Sequence, residues 1–144
     1  MRTQVLLSIF SLSLIGCAGS NQSTKSDKSL YDRLGGKPAI VAVVDGFTAK
    51  VAADQRINAR FSNTDIPHFK AMLVDQICEA SGGPCKYTGK DMKAAHAGQN
   101  VTSDEFNALV EDLQTTLTEM KVAASAQKDL LGALAPMKPQ IVGQ

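Results

Sequence analysis

The sequence contains no tryptophan, and its 144 residues include only five phenylalanines and two tyrosines. So few aromatic rings argue against the stacking surfaces that single-stranded nucleic acids need. Positive charge is not in excess either, because 15 Lys and Arg face 14 Asp and Glu, for a formal net charge of +1. The composition therefore indicates no nucleic-acid partner. The sequence also lacks a Gly-x-Gly-x-x-Gly turn, so it indicates no flavin or nicotinamide site.

The first apolar segment is too short to cross a membrane. It runs from Val5 to Ile15 with a few serines, and about ten apolar residues suit a signal peptide. The segment ends in Leu14–Cys17, and Leu-x-Gly-Cys resembles the lipobox of bacterial lipoproteins. That resemblance implies removal of residues 1–16 and lipid on Cys17. The alternative is an ordinary signal peptide in which Cys17 occurs by chance.

A polar stretch separates the lipobox from the rest of the chain. Residues 18–28 are rich in Ser and Lys and contain no large apolar side chain, so they cannot contribute to a core. Residues 17–29 are therefore predicted to be a lipidated Cys17 and a flexible tether. In Gram-negative bacteria a residue other than Asp after the lipidated cysteine, here Ala18, implies the periplasmic face of the outer membrane.

From Leu30 onward the apolar residues follow a helical spacing, and no segment is a convincing strand or repeat. Residues 30–142 are therefore predicted to form one all-α domain of about five or six helices. The predicted boundaries rest on capping and helix-breaking residues: Pro38 in a first turn, Thr64 or Asp65 as a cap, Gly82-Gly83-Pro84 as a stop, a short helix from Asp91 to Ala97, a capping box formed by Thr102 and Glu105, Ser125 as a cap, and Pro136 and Pro139 as stops.

Two helices carry further expectations. Gly46 lies in the helix that follows Pro38, where it costs about 1 kcal/mol relative to Ala, so we expect another helix or a ligand to approach closely there. The helix after the capping box has an apolar face that runs from Phe106 to Met120.

Two further cysteines, Cys78 and Cys85, lie seven residues apart around a Gly-Gly-Pro turn. In an oxidising compartment such a pair forms a disulfide across the turn. Free thiols are the main alternative. A metal site is the weakest interpretation, because no other Cys or His lies at ligand spacing.

Only two histidines exist, and His96 is the more informative. Met92 and His96 share a helical face, and alanines beside His96 leave room for a bulky neighbour. Taken alone, a single histidine on such a face is more often a hydrogen-bonded core residue than a ligand.

Three longer motifs change that interpretation. The chain has Leu-Tyr-Asp-Arg-Leu-Gly-Gly at 30–36, Gly-Gly-Pro-x-x-Tyr-x-Gly at 82–89 and Met-x-x-x-His-x-Gly at 92–98. Together with Phe47 and Phe61, their order and spacing resemble those of the group I truncated haemoglobins from residue 30 to 142. The resemblance implies a truncated-globin fold, a two-over-two helical sandwich around haem b (iron protoporphyrin IX).

The resemblance also implies roles for individual residues. His96 matches the proximal ligand of the haem iron, and Phe61 matches the ring that packs flat on the porphyrin. Tyr87 matches a position near the haem edge, where it contacts either a propionate or only its own loop. Apolar wall positions are matched by Met92, Leu109, Leu113 and Leu117.

On the opposite, distal side the sequence departs from the family. Members often carry a Tyr and Gln residues that donate hydrogen bonds to bound dioxygen, and the matching positions here are Thr48, Phe69 and Leu73. Gln76 either turns into this pocket or lies in solvent. Met72 matches a position where some relatives place an iron-binding His.

The resemblance therefore implies reversible binding of dioxygen or other diatomic gases, nitric oxide and carbon monoxide among them. Dioxygenation of nitric oxide would be an enzymatic extension that needs an unidentified reductase. The alternative is a six-coordinate electron-transfer or redox-sensing lipoprotein, with Met72 or His68 as sixth ligand. A third hypothesis is a haem-free helical interaction domain held by the disulfide.

Overall fold

A computed structural model of the chain describes residues 28–144, so the predicted signal peptide, Cys17 and most of the tether lie outside the described residues. Six α-helices occupy most of this stretch, and its one β contact is an isolated bridge between Val101 and Val142. The helices are α1 (Leu30–Leu34), α2 (Gly36–Ala53), α3 (Ile66–Ala80), α4 (Met92–His96), α5 (Ser103–Glu119) and α6 (Ala124–Leu134), with 3-10 turns at Asn58–Phe61 and Ala135–Gln140.

Helix α2 lies at the centre of the core, packed against both α3 and α5, while α6 packs against α5 and α1. The apolar face of α2 is fully buried, as its helical spacing predicts: Ile40, Val43, Val44, Phe47 and Val51. Gly46 permits the close approach to α5, because a Cβ there would lie 3.2 Å from Thr116 Cγ2. The expected role of Gly46 is therefore confirmed, with a helix as its neighbour.

Most predicted helix boundaries are confirmed by the hydrogen bonds at their ends. Of the two candidate caps, Asp65 rather than Thr64 precedes α3, and its carboxylate accepts from the His68 N–H at 3.1 Å. The capping box is complete, since the Glu105 N–H donates to Thr102 Oγ1 at 3.2 Å and Glu105 Oε2 accepts from the Thr102 N–H at 2.8 Å.

Two expectations at helix ends were wrong. Ser125 does not cap α6, because the Gln127 N–H bonds the Ala123 carbonyl and the helix begins ahead of Ser125. Met120 does not continue the buried face of α5, because the helix ends at Glu119 and the Met120 side chain is 41% exposed.

The disulfide interpretation is confirmed, as Cys78 and Cys85 are joined. The bond connects the end of α3 to the loop that leads to α4. Gly83 passes over it, where a Cβ would clash with the Tyr31 ring and lie 2.7 Å from Cys78 Sγ, so any other residue would force these groups to move. Glu79 strengthens the same junction by accepting from Lys86 Nζ at 2.9 Å, which lowers the pKa of the Glu79 carboxyl.

None of the helices within residues 28–144 is long and apolar enough to cross a membrane.

We expect reduction of the disulfide to lower the free energy of unfolding by about 2–3 kcal/mol, because a short closed loop restricts the unfolded chain by roughly that amount. Urea unfolding of the protein with and without dithiothreitol measures the difference. The double variant Cys78→Ala/Cys85→Ala is the control, because it should not respond to the reductant. Equal midpoints for the oxidised and reduced protein would contradict the prediction.

Candidate functional site

A cavity of about 410 Å³ opens between the helices and borders the buried core. Most of its wall is apolar. The wall is formed mainly by α3, α5, the turn at Asn58–Phe61 and the C-terminal segment, and α4 adds to it. The apolar lining residues are Phe47, Ile57, Phe61, Phe69, Met72, Leu73, Ile77, Met92, Val101, Phe106, Leu109, Val110, Leu113, Leu134, Met137 and Ile141.

His96 is the one imidazole that lines this cavity. It stands at the end of α4, whose start is fixed by the Asp91 carboxylate accepting from the Ala94 N–H at 2.8 Å. The Nδ1 atom of His96 lies 2.7 Å from the Met92 carbonyl oxygen. A carbonyl only accepts, so Nδ1 carries a proton, and Nε2 is the nitrogen that has none in the uncharged tautomer of the ring. No group of the described residues hydrogen-bonds Nε2, which is therefore free to bind a metal.

The described residues do not form a complete metal site by themselves. No cluster of three or more His, Cys, Asp or Glu residues suited to a metal occurs within the part of the chain that the structure describes. A metal bound by His96 would therefore have to bring its other ligands with it. An iron porphyrin does so through its four ring nitrogens, and its flat apolar body matches an apolar cavity. The residues present thus fit haem.

One face of α3 also lines the cavity. Phe69, Met72, Leu73 and Gln76 all line the cavity, at the spacing of a single helical face. The ring of Phe69 lies 5.5 Å from that of Phe61, centroid to centroid. Phe69 and Leu73 carry no hydrogen-bond donor, so this wall is mostly apolar.

Gln76 is the exception on this wall, and its side chain turns into the cavity. Its Nε2 donates to Met92 Sδ at 3.3 Å and approaches Met137 Sδ at 3.7 Å. Thioether sulfur is a weak acceptor, so these contacts leave the amide donor only weakly satisfied.

Three residues considered from the sequence do not join the cavity. Leu117, expected in its wall, lies in the buried core instead. Thr48 is absent from the cavity lining, and its hydroxyl donates to the Val44 carbonyl one turn back at 2.7 Å. The hydroxyl proton of Thr48 is therefore hydrogen-bonded within α2. His68 also lies outside the lining, and its side chain is exposed.

Tyr87 lines the cavity, but its hydroxyl serves the loop. The Oη atom donates to the Lys90 carbonyl at 2.7 Å, and the Tyr87 N–H donates to Glu79 Oε2 at 3.2 Å. Burial raises the pKa of the Tyr87 phenol, and the Asp91 charge adds to this effect, so the group stays protonated. These bonds hold the loop that precedes α4.

The sequence-based site omitted several lining residues. Met137 and Ile141 come from the segment after α6, where the prolines indicated only the end of a helix. Arg60, directly before Phe61, lines the cavity as well, and so does its partner Glu105. Glu105 was recognised only as a cap, and no sequence pattern distinguishes Arg60 from a surface arginine.

Comparison with known proteins places this geometry in a wider group. The family model of the bacterial-like globins matches residues 29–142. The chain is 36% identical over 113 residues to a group 1 truncated haemoglobin of Mycolicibacterium paratuberculosis, covering 78% of this chain and 83% of that protein. It is 37% identical over 116 residues to a group 1 truncated haemoglobin of Tetrahymena pyriformis, covering 73% and 96%.

Solved structures show the same similarity. The truncated haemoglobin of Tetrahymena pyriformis in its Fe(III) form superposes with a TM-score of 0.79 at 33% identity, over 81% of this chain and all of that one. The 2/2 haemoglobin of a Synechococcus species, with covalently attached haem, gives a TM-score of 0.72 at 32% identity, over 78% and 95%. The predicted all-α, two-over-two arrangement is thereby confirmed.

Proposed function

The chain belongs to the bacterial-like globin family, as a group 1 truncated haemoglobin, and on that premise we propose that it binds haem b through His96 and takes up a diatomic gas. The observation that carries the proposal is the His96 ring, which faces an apolar cavity with Nδ1 bonded to the Met92 carbonyl and Nε2 free. When bound, the haem supplies an iron atom at which dioxygen, nitric oxide or carbon monoxide can bind.

The protein's own groups set the conditions for that binding. The bond from Nδ1 to the Met92 carbonyl fixes the His96 tautomer and ring orientation and makes Nε2 a stronger donor to a metal. The apolar side chains of Phe61, Leu109 and Leu113 line the cavity and would exclude water from a porphyrin bound there. Exclusion of water favours reversible gas binding over oxidation of the metal.

We expect the reduced protein to show a five-coordinate haem spectrum that shifts sharply with carbon monoxide, and we expect His96→Ala to lose or disturb it. The control is His68→Ala, which removes the exposed histidine outside the cavity and should leave the spectrum unchanged. Absorption spectra of the ferric and dithionite-reduced protein make the comparison. A wild-type spectrum for His96→Ala would contradict the assignment.

The distal wall bears on which gas is held best. Bound dioxygen acquires superoxide character and gains from a nearby donor, whereas carbon monoxide and nitric oxide depend on one less. Phe69 and Leu73 have no donor, and the Thr48 hydroxyl bonds the Val44 carbonyl. The Gln76 amide, the one donor on this wall, points at the Met92 and Met137 sulfurs. We therefore propose that dioxygen dissociates and autoxidation proceeds faster here than in pockets with a strong donor.

Phe69→Gln should slow dioxygen dissociation by about 2- to 10-fold, because a new hydrogen bond contributes about 0.5–1.5 kcal/mol and 1.4 kcal/mol corresponds to tenfold. Phe69→Met is the matched control, since it changes the shape of the side chain without adding a donor. Stopped-flow measurement of dioxygen dissociation tests the prediction. The same rate change in both variants would show that cavity shape rather than hydrogen bonding is responsible.

Electron transfer is the second candidate, and it is supported by one observation. Met72 lines the same cavity as His96. Thioether ligation would raise the reduction potential. A low-spin ferric spectrum that is lost in Met72→Leu would favour this function, whereas an unchanged spectrum would leave gas binding. Dioxygenation of nitric oxide would require a reductase outside this chain.

We also propose that the protein is an exported lipoprotein, held by lipid on Cys17 at the periplasmic face of the outer membrane. The support is the Leu14–Cys17 lipobox and the polar tether. The disulfide between Cys78 and Cys85 is consistent with an oxidising compartment. In that position the protein would capture nitric oxide before it enters the cell.

Cys17→Ser should move the protein out of the membrane fraction, because the residue that carries the lipid is lost. Fractionation of bacterial cells that express the full chain measures the distribution, and Ser20→Ala in the tether is the control. Equal membrane association of Cys17→Ser and wild type would contradict the lipid anchor.

A further inference from the structure

The cavity wall contains a single Lys or Arg among the described residues, and that residue is Arg60. It belongs to the turn at Asn58–Phe61, directly before the Phe61 ring that lines the cavity. Its side chain is 38% exposed, so it stands where the apolar cavity meets solvent. One end of the cavity is therefore charged.

Three of the five N–H groups of Arg60 are used by the protein. Nε and Nη2 donate to the two carboxylate oxygens of Glu105 at 2.7 and 2.8 Å, and Nη1 donates to the Gln99 carbonyl at 2.6 Å. These bonds fix the plane of the guanidinium. Two N–H groups, one on Nη1 and one on Nη2, have no partner within residues 28–144.

The carboxylate of Glu105 is itself held in place, because it accepts from two further donors as well as from Arg60. It accepts from the Thr102 N–H at 2.8 Å and from Thr102 Oγ1 at 3.0 Å. The contact with Arg60 and the bonds from Thr102 lower the pKa of Glu105 to about 2, so the carboxylate stays ionised and keeps its hold on Arg60. The guanidinium is thus preorganised for a further anion.

Resting on the proposed function, we infer that Arg60 binds a propionate carboxylate of the haem through its two unused N–H groups. A porphyrin with two carboxylates and an apolar body would place its charged edge at Arg60 and its body in the apolar part of the cavity. Arginine suits this role because its donors match the geometry of a carboxylate.

The bond between Arg60 and the Gln99 carbonyl also links Arg60 to the end of α4 that carries His96. Gln99, whose carbonyl holds Arg60, donates its own N–H to the His96 carbonyl at 3.0 Å. Arg60 therefore connects the propionate edge to the turn that follows the iron ligand. Tyr87, the residue that the sequence suggested for a propionate, has its hydroxyl proton committed to the Lys90 carbonyl.

The test is the rate at which the haem-loaded protein loses its haem to an excess of apomyoglobin. We expect Arg60→Gln to speed the loss by roughly 3- to 10-fold, at the low end for a charge-assisted hydrogen bond because Arg60 is partly exposed. Arg56→Gln is the matched control, because Arg56 pairs with Asp54 and Glu111 and does not line the cavity.

A second cofactor distinguishes a propionate contact of Arg60 from a purely structural role of this residue. Iron protoporphyrin dimethyl ester lacks the two carboxylate charges, so Arg60→Gln should leave its rate of loss unchanged. Equal acceleration with haem and with the ester would show that Arg60 acts only by supporting the fold through Glu105, and would overturn the inference. Unchanged haem loss in Arg60→Gln would overturn it too. A wild-type protein without a Soret band would instead overturn the proposed function, and this inference with it.

Discussion

The hydrogen bond between His96 Nδ1 and the Met92 carbonyl is the contact on which the site depends. It decides which ring nitrogen is free, and the surrounding structure serves to keep it in place. Helix α4 spans only Met92–His96, too short to be stable alone. Its stability comes from both sides: the Asp91 cap and the disulfide-bound loop before it, and the Arg60–Gln99 contact after it.

Helix α3 serves two purposes with two faces. Val74 and Cys78 are buried against the core, Phe69 and Leu73 line the cavity, and Ile77 does both. Such a helix must be apolar on both of these faces. The only uncharged polar side chain on the cavity face, Gln76, finds no stronger acceptor than sulfur.

Much of this architecture could be predicted because local chemistry determines it. Asp65 and the Thr102–Glu105 box act within one turn of chain, and the disulfide joins residues seven positions apart. The longer motifs identified His96. What the sequence could not show depends on distant partners: Arg60 meets Glu105 across 45 positions, and Met137 reaches the cavity from the end of the chain. The expectation that Thr48 faces the ligand was wrong for the opposite reason, because its hydroxyl bonds the Val44 carbonyl within its own helix.

The burial of Cys78 has a consequence for how the crosslink is exchanged. Its side chain is fully covered, with Gly83 passing directly over the sulfur, whereas Cys85 remains partly accessible. Exchange at this bond therefore begins at the Cys85 sulfur. In the finished protein a thiol reductant can attack only from the Cys85 side, which protects the bond after assembly.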